Sequence, residues 1–199
     1  MNAKASRLLV IFTAFFVGLV LCLGVILFVS GRGAGPRGFA SAAIGGPFQL
    51  IDQNGQPFSD KKLLGKSFLV FFGFTHCPDV CPTTLFEISE IMRKLGSDAD
   101  RTEAVFITVD PERDTPAAMK DYLSSFDPHI HGLSGDADAL AKVARAYRVY
   151  YKKVPLEGSD YTMDHTAIVY LMDKDGRFVS PFNMKRTVDV AAADLRSHL

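Results

Sequence analysis

The chain alternates between short, wholly apolar runs and stretches in which apolar residues recur every three or four positions. Ser67–Phe74 (SFLVFFGF) is a continuous apolar run, as expected for a strand covered on both faces of a sheet. From Thr83 to Leu95 the apolar residues fall at helical spacing, so a helix is predicted soon after that strand. Glu103–Val109 (EAVFITV) is the next buried run. Strand, helix and strand therefore follow one another here.

The rest of the chain continues this alternation. Asn54-Gly55 and Asp175-Gly176 are turn signals, so we predict a hairpin at each end of the domain. Further strands are predicted at Phe48–Ile51, Tyr147–Val154 and Thr166–Met172, with another starting at Ile130; further helices are predicted at Pro116–Phe126, Asp136–Ala146 and Asp189–His198. This order predicts an α/β domain with a central mixed sheet flanked by helices.

An uncharged segment precedes the domain. Leu8–Val29 is 22 residues long and contains no charged side chain, which is enough for a helix to span a hydrocarbon core of roughly 30 Å. A cleaved signal peptide would have a shorter apolar region, about 7–15 residues. We therefore predict a short N-terminal segment at 1–7, a transmembrane anchor at 8–29, a Gly-, Ala- and Ser-rich linker at 30–45 and a domain at 46–199.

Charge is distributed unevenly between these parts. The chain has 22 acidic and 22 basic side chains, and no acidic residue precedes Asp52. The domain is therefore mildly acidic, which gives no electrostatic reason for nucleic-acid binding. The residues before the predicted span are too few for an organelle presequence. We expect a single-pass protein of a bacterial inner membrane with its soluble domain in the periplasm, in preference to the mitochondrial inner membrane.

Two cysteines follow the first buried strand in FFGFTHCPDVCPTT. Pro78 disfavours helical conformation at Cys77, which should lie in the loop after the strand. Pro82 suits the first turn of a helix, so Cys81 should lie at a helix N-terminus. There the helix dipole and the free amides are expected to favour a thiolate and lower the pKa of Cys81.

Several chemistries fit a cysteine pair. A disulfide closing so short a loop stabilises a fold little. A thioredoxin-type oxidoreductase has two residues between its cysteines, and here there are three. A peroxiredoxin-like site lacks its threonine, and a structural zinc site lacks two ligands. Two thiolates and one imidazole suit Cu(I), a soft ion that accepts low coordination numbers.

The imidazole for such a site has one distinctive candidate. The histidines of the predicted domain are His76, His129, His131, His165 and His198. His165 stands in YTMDHTAIVYLMDKDG, directly before a predicted strand. As an isolated residue it is more often explained as a buried histidine paired with Asp164 or with the backbone.

Four stretches of the domain together resemble the Sco/SenC family, the membrane-anchored copper proteins of cytochrome c oxidase assembly. They are GFTHCPDVCP (Gly73–Pro82), VDPERDTP (Val109–Pro116), ARAYRVYY (Ala144–Tyr151) and DHTAIVYLMDKDG (Asp164–Gly176). The resemblance covers nearly all of the chain from Gly46 onward. The predicted anchor and linker match the family only in the type of segment, not in sequence.

The resemblance implies a thioredoxin-like fold with copper, as Cu(I) or Cu(II), held by Cys77, Cys81 and His165. Further candidates that support the ligands or contact a partner are Asp79, Asp164 and Asp114. The implied function is that of a metallochaperone rather than an enzyme. It takes copper from an upstream donor and delivers it to the dinuclear site of cytochrome c oxidase subunit II. A thiol–disulfide reductase acting on the cysteines of that site, and a copper or redox sensor, are the alternatives.

Overall fold

The computed structural model describes residues 12–25, 44–158 and 160–199. The described residues fall into two units, helix α1 at 12–25 and the domain that follows from residue 44. Both ends of the predicted span Leu8–Val29 lie outside the described residues, as does most of the predicted linker. Within the described ranges, no helix is both long enough and apolar enough to cross a membrane.

The domain is built on one mixed sheet of seven strands. The strands are β1 (Gln49–Asp52), β2 (Pro57–Ser59), β3 (Ser67–Gly73), β4 (Thr102–Thr108), β5 (Ile130–Ser134), β8 (Val169–Met172) and β9 (Phe178–Pro181). Their order across the sheet is β2-β1-β5-β4-β3-β8-β9. β3, β4 and β5 run parallel, whereas the pairs at either side are antiparallel. The predicted mixed sheet with a hairpin at each end is therefore confirmed.

Four helices complete the described part of the domain. They are α2 (Val80–Leu95), α3 (Pro116–Leu123), α4 (Ala137–Ala146) and α5 (Val188–Arg196). α2 and α3 connect successive parallel strands, α3 lies against β5, and α5 packs on α2. Thr115 and Asp136 cap α3 and α4 by accepting hydrogen bonds from backbone amides of the first turn. Short 3₁₀ helices at Asp60–Lys62 and Gly96–Arg101 fill two of the connections.

The core is centred on β3 and β4. All seven residues of β3 are buried, in agreement with its unbroken apolar sequence. Phe71 and Phe106 stack across these two strands with ring centroids 5.8 Å apart. On the other side of β3, Phe72 packs on Tyr147 and Tyr170. The end of β3 is thus held firmly, and the loop that carries Cys77 starts from this fixed point.

A second, two-stranded sheet stands apart from the main one. It consists of β6 (Tyr151–Pro155) and β7 (Tyr161–His165), paired antiparallel with Tyr151 opposite His165. The predicted strand at Tyr147–Val154 therefore starts too early, because Tyr147 ends α4 and is buried in the core. The predicted strand at Thr166–Met172 also starts too early: it is shortened to β8, and the sequence interpretation missed β7 altogether.

Candidate metal site

The two cysteines lie where the sequence predicts. Cys77 is in the loop after β3, and Cys81 is the second residue of α2. The backbone N–H of Cys81 donates a hydrogen bond to the Cys77 sulfur, 3.4 Å away. Asp79 precedes the helix at the capping position, but its side chain makes no capping bond. The Cys77 sulfur thus takes up one of the free amides of the first turn of α2.

The Cys81 sulfur is seated against the end of β3. A Cβ built on Gly73 would lie 2.7 Å from the Cys81 sulfur and 2.5 Å from Phe106 Cε2. Only glycine leaves enough room here, since real Cβ atoms do not approach other heavy atoms this closely. Cys81 is fully buried, and Cys77 is 9% exposed. Both thiols are free. The glycine in GFTHC therefore serves the site directly.

The expected lowering of the pKa of Cys81 is wrong. Burial raises the pKa of the Cys81 thiol well above its ordinary value, and the neighbouring Cys77 acts in the same direction. Hydrogen bonding to the Phe74 backbone opposes this rise without cancelling it. The cost of removing a charged thiolate from water exceeds the effect of the helix N-terminus at this position. Cys81 is therefore a neutral thiol in the metal-free protein, and it becomes a thiolate only with a compensating charge beside it.

His165 reaches the cysteines from the second sheet. It is the last residue of β7, and its Nε2 lies 3.9 Å from the Cys81 sulfur. Its ring packs edge-on against Phe74, with centroids 5.7 Å apart. Burial lowers the pKa of His165, although backbone groups of Met163 and Phe72 oppose the shift. The imidazole is consequently neutral at neutral pH, which is the form that binds metals.

The three predicted ligands are thus neighbours but not a preformed cage. Cys81 contacts both Cys77 and His165. Nevertheless, across residues 12–25, 44–158 and 160–199 no group of three or more His, Cys, Asp or Glu side chains is already arranged to hold a metal ion. Ligation by all three would require small side-chain movements. Two sulfur donors and one neutral nitrogen suit a soft ion of low coordination number.

The three predicted acidic neighbours have different surroundings. Asp114 is fully buried and accepts hydrogen bonds from the Thr75 backbone, the Thr75 hydroxyl and the Thr108 hydroxyl. Burial raises the pKa of this carboxyl despite these bonds. Asp79 and Asp164 are exposed, and Asp164 adjoins His165. Asp114 therefore anchors the cysteine loop, and the other two lie on the outer surface of the site.

A second anchor was not found by sequence reasoning. Arg113 donates to Asp110 and to the Tyr161 carbonyl, and the Tyr161 hydroxyl also donates to Asp110. Asp110 and Arg113 lie in DPERDT, which the sequence suggests as a loop near the site, but a charged turn that caps the next helix explains that segment nearly as well. Nothing in the sequence signalled Tyr161, because its role depends on the position of β7.

Fold and site together define the class of this protein, a thioredoxin-like domain with a dithiol at the β3–α2 junction and an imidazole facing it. The SCO1/SenC family model matches residues 37–199. Mouse "Protein SCO1 homolog, mitochondrial" is 43% identical over 170 residues, which are 82% of this chain and 60% of the mouse protein. The chain thus spans about three fifths of the length of that relative. It belongs to the SCO1/SenC family.

Solved structures agree with this assignment. Bradyrhizobium japonicum ScoI with copper bound is 69% identical, with a TM-score of 0.77, over 79% of this chain and all of that one. BsSco, described as a member of the Sco family of cytochrome c oxidase assembly proteins with a disulfide switch, has a TM-score of 0.63 over 78% of this chain and 92% of its own. At 24% identity, BsSco supports the fold alone.

Proposed function

We propose that this chain is a copper metallochaperone whose ligands are Cys77, Cys81 and His165. The observation that carries the proposal is the convergence of the three side chains, with His165 Nε2 3.9 Å from the Cys81 sulfur and the Cys77 sulfur bonded to the Cys81 amide. The copper-bound ScoI relative, 69% identical, supports the choice of metal. The cargo is taken from an upstream donor and delivered to the dinuclear site of cytochrome c oxidase subunit II.

The surroundings of the site suit reversible loading. A thiol loses its proton when it binds copper, and the metal supplies the positive charge that stabilises a buried thiolate. His165 is already neutral because its pKa is lowered, so it offers a lone pair without losing a proton. Cys77 retains a little exposure, whereas Cys81 has none. A thiolate of a recipient therefore approaches from the side of Cys77 and His165.

Copper stoichiometry in two redox states tests the ligand assignment. The reduced full chain should bind one copper ion, and the chain oxidised to a Cys77–Cys81 disulfide should bind almost none. X-ray absorption on the reduced, loaded chain should report two sulfur donors and one nitrogen donor for Cu(II). Equal binding in both redox states would exclude the sulfurs as ligands.

A thiol–disulfide reductase is the second candidate, favoured by two free thiols that already contact each other through the Cys81 amide. In that reaction the two thiols become a disulfide, and two electrons and two protons pass to a disulfide of the partner. His165→Ala separates the two candidates. Copper delivery needs the imidazole, whereas dithiol exchange does not. In cells, oxidase assembly should fail with His165→Ala if delivery is essential and persist if reduction is essential.

We also propose that Leu8–Val29 anchors the chain in a bacterial inner membrane, with the domain in the periplasm. Support comes from the sequence, which has no charge over these 22 residues. Reporter fusions after Gly45 should be active outside the cytoplasm. The intact mass of membrane-extracted protein should include the anchor. A product starting near Ala43 would instead identify a cleaved signal peptide.

A further inference from the structure

The hairpin that carries His165 has little backbone support. Among the described residues, β6 and β7 pair only with each other, and no strand of the seven-stranded sheet pairs with them. Met163 on β7 is buried, and the other four residues of that strand are partly or fully exposed. Where the hairpin lies relative to the cysteines therefore depends on side-chain contacts.

The segment 110–114 makes contacts in two directions. At one end, Asp114 Oδ1 accepts a hydrogen bond of 2.6 Å from the Thr75 hydroxyl, and Asp114 Oδ2 accepts one of 3.1 Å from the Thr75 amide. Thr75 is two residues from Cys77. This end therefore fixes the cysteine loop to the segment.

The second set of contacts is made by Arg113 and Asp110, which hold Tyr161 at the start of β7. Arg113 Nε donates to Asp110 Oδ2 at 2.5 Å, and Arg113 Nη1 donates to the Tyr161 carbonyl at 3.0 Å. The Tyr161 hydroxyl donates to Asp110 Oδ1 at 2.8 Å. The Arg113 guanidinium also lies over the Tyr161 ring, 3.8 Å from its centroid. Tyr161 is thus held by its backbone, its ring and its hydroxyl.

A third contact brings Arg113 close to the site itself. Its guanidinium lies 5.9 Å from the centroid of the Phe74 ring. Phe74 in turn packs edge-on against His165. Arg113 thus acts on both ends of β7, on Tyr161 directly and on His165 through Phe74. A lysine has a single donor group and no planar fork, so it cannot bond the Tyr161 carbonyl and Asp110 while stacking on the ring.

We propose that segment 110–114 acts as a clasp: it bonds to both the cysteine loop and the β6–β7 hairpin, and so sets the distance between that loop and His165. Arg113 is the positioning residue. This inference rests on the proposed function in so far as it concerns copper. Its physical content is that Arg113 limits the movement of the β6–β7 hairpin. Loss of Arg113 should therefore weaken the nitrogen ligand and spare the two sulfurs.

Amide hydrogen exchange on the metal-free full chain tests the clasp without copper. Arg113→Lys should increase exchange in β6 and β7 about tenfold, while β3 and β4 exchange as in wild type. Arg186→Lys is the matched control. Arg186 also makes an ion pair, 2.8 Å from Asp194, and lies over an aromatic ring, 5.4 Å from the Phe182 centroid, but it makes no hydrogen bond or ion pair with a described residue of the hairpin. The control should leave hairpin exchange unchanged.

Copper binding tests the positioning role. Arg113→Lys should weaken Cu(II) binding about 10- to 100-fold, the usual effect of losing a group that orients a metal ligand. The nitrogen coupling in the electron paramagnetic resonance spectrum should decline, and Cu(I) binding should change less. Faster amide hydrogen exchange in the hairpin, with unchanged Cu(II) affinity and an unchanged spectrum, would overturn the positioning role, because Arg113 would then be merely structural.

Two further results keep the tests distinct. Tyr161→Phe keeps the ring under Arg113 and removes only the hydrogen bond to Asp110. It should therefore change hydrogen exchange and Cu(II) binding in the same direction as Arg113→Lys, but by less. This variant also serves if Arg113→Lys does not fold. If wild type bound no copper, the proposed function would fail, and the exchange comparison would still decide whether Arg113 holds the hairpin. Equal exchange in Arg113→Lys and Arg186→Lys would overturn the clasp.

Discussion

The two sides of the site are built in different ways. The cysteine side starts from β3, a central strand whose seven residues are all buried, and continues directly into a 16-residue helix. On the histidine side, His165 is the last residue of β7, which belongs to a two-stranded sheet. Within the described residues, no strand of the main sheet pairs with this second sheet. The sulfurs are thus held by the core of the fold, whereas the imidazole is held by a peripheral hairpin and its side-chain contacts.

This difference matches two requirements of the proposed copper carrier. At the proposed site, a fixed pair of sulfurs would retain the soft ion, because a buried thiolate needs the positive charge that the metal supplies. A nitrogen donor on a less supported hairpin can leave first when a recipient approaches. We infer that retention depends on the cysteine side and release on the histidine side. Four changes test this comparison, in order of decreasing expected effect.

Removing both sulfurs should have the largest effect. The double variant Cys77→Ser and Cys81→Ser should bind no measurable Cu(I) or Cu(II), because His165 would be the only ligand left. Circular dichroism should still show a folded domain, since serine is close to cysteine in size. Anaerobic titration with copper competitors gives the measurement, and stoichiometric binding by the double variant would contradict the role of the cysteine side.

Removing the imidazole should weaken Cu(II) binding about 100-fold, or about 2.7 kcal/mol, and Cu(I) binding much less, because Cu(I) tolerates two sulfur ligands. The experiment is a competition titration of His165→Ala in both oxidation states. His76→Ala is the matched control, since His76 adjoins Cys77 but is exposed and bonds only to the Thr75 hydroxyl among the described residues. Equal losses for both variants would argue against His165 as the nitrogen ligand.

Adding one methyl group at Gly73 should disturb the cysteine side from within the core. The new Cβ would lie 2.7 Å from the Cys81 sulfur and 2.5 Å from Phe106. Overpacking of this kind destabilises a fold by about 1–3 kcal/mol. Chemical denaturation should give that loss for Gly73→Ala, and Cu(I) affinity should decline with it. A variant as stable as wild type, with unchanged Cu(I) affinity, would show that the sulfur is not confined by β3.

The pH dependence of copper binding should arise on the cysteine side alone. Burial raises the pKa of Cys81, so copper must displace its proton at neutral pH, and affinity should increase as the pH rises. Each displaced proton corresponds to about tenfold per pH unit, or about 1.4 kcal/mol. The pKa of His165 is lowered, so the imidazole is already deprotonated near neutral pH. Cu(I) titrations of wild type and His165→Ala should have equal slopes, and a flat profile in wild type would contradict proton displacement.

The same contrast describes how far sequence reasoning reached. On the cysteine side, the apolar run predicted β3, and the two prolines predicted Cys77 in the loop and Cys81 at the helix N-terminus. These features depend on local conformational preferences and on burial of a continuous strand. The predicted effect of the helix on the Cys81 thiol was wrong, because burial depends on residues such as Phe106 that are distant in sequence.

On the histidine side, the sequence predicted less. Tyr161–His165 (YTMDH) has one buried residue, and its alternation of Tyr161 and Met163 with Thr162 and Asp164 is too short to identify a strand, so its pairing with β6 was missed. A peripheral hairpin of this kind is specified by its cross-strand register and by its contacts with Arg113. Both involve residues separated along the chain, and no local pattern encodes them.

By itself, then, the sequence determined the α/β class, the places of both cysteines at the β3–α2 junction, and the candidate ligand set through its family resemblance. Tertiary structure alone decided that Cys81 is a fully buried neutral thiol, that Gly73 makes room for its sulfur, and that His165 approaches from a separate sheet. The physical reason is distance along the chain. Local conformation follows from neighbouring residues, whereas desolvation, close packing and the approach of His165 across 84 residues exist only once the sheets have assembled.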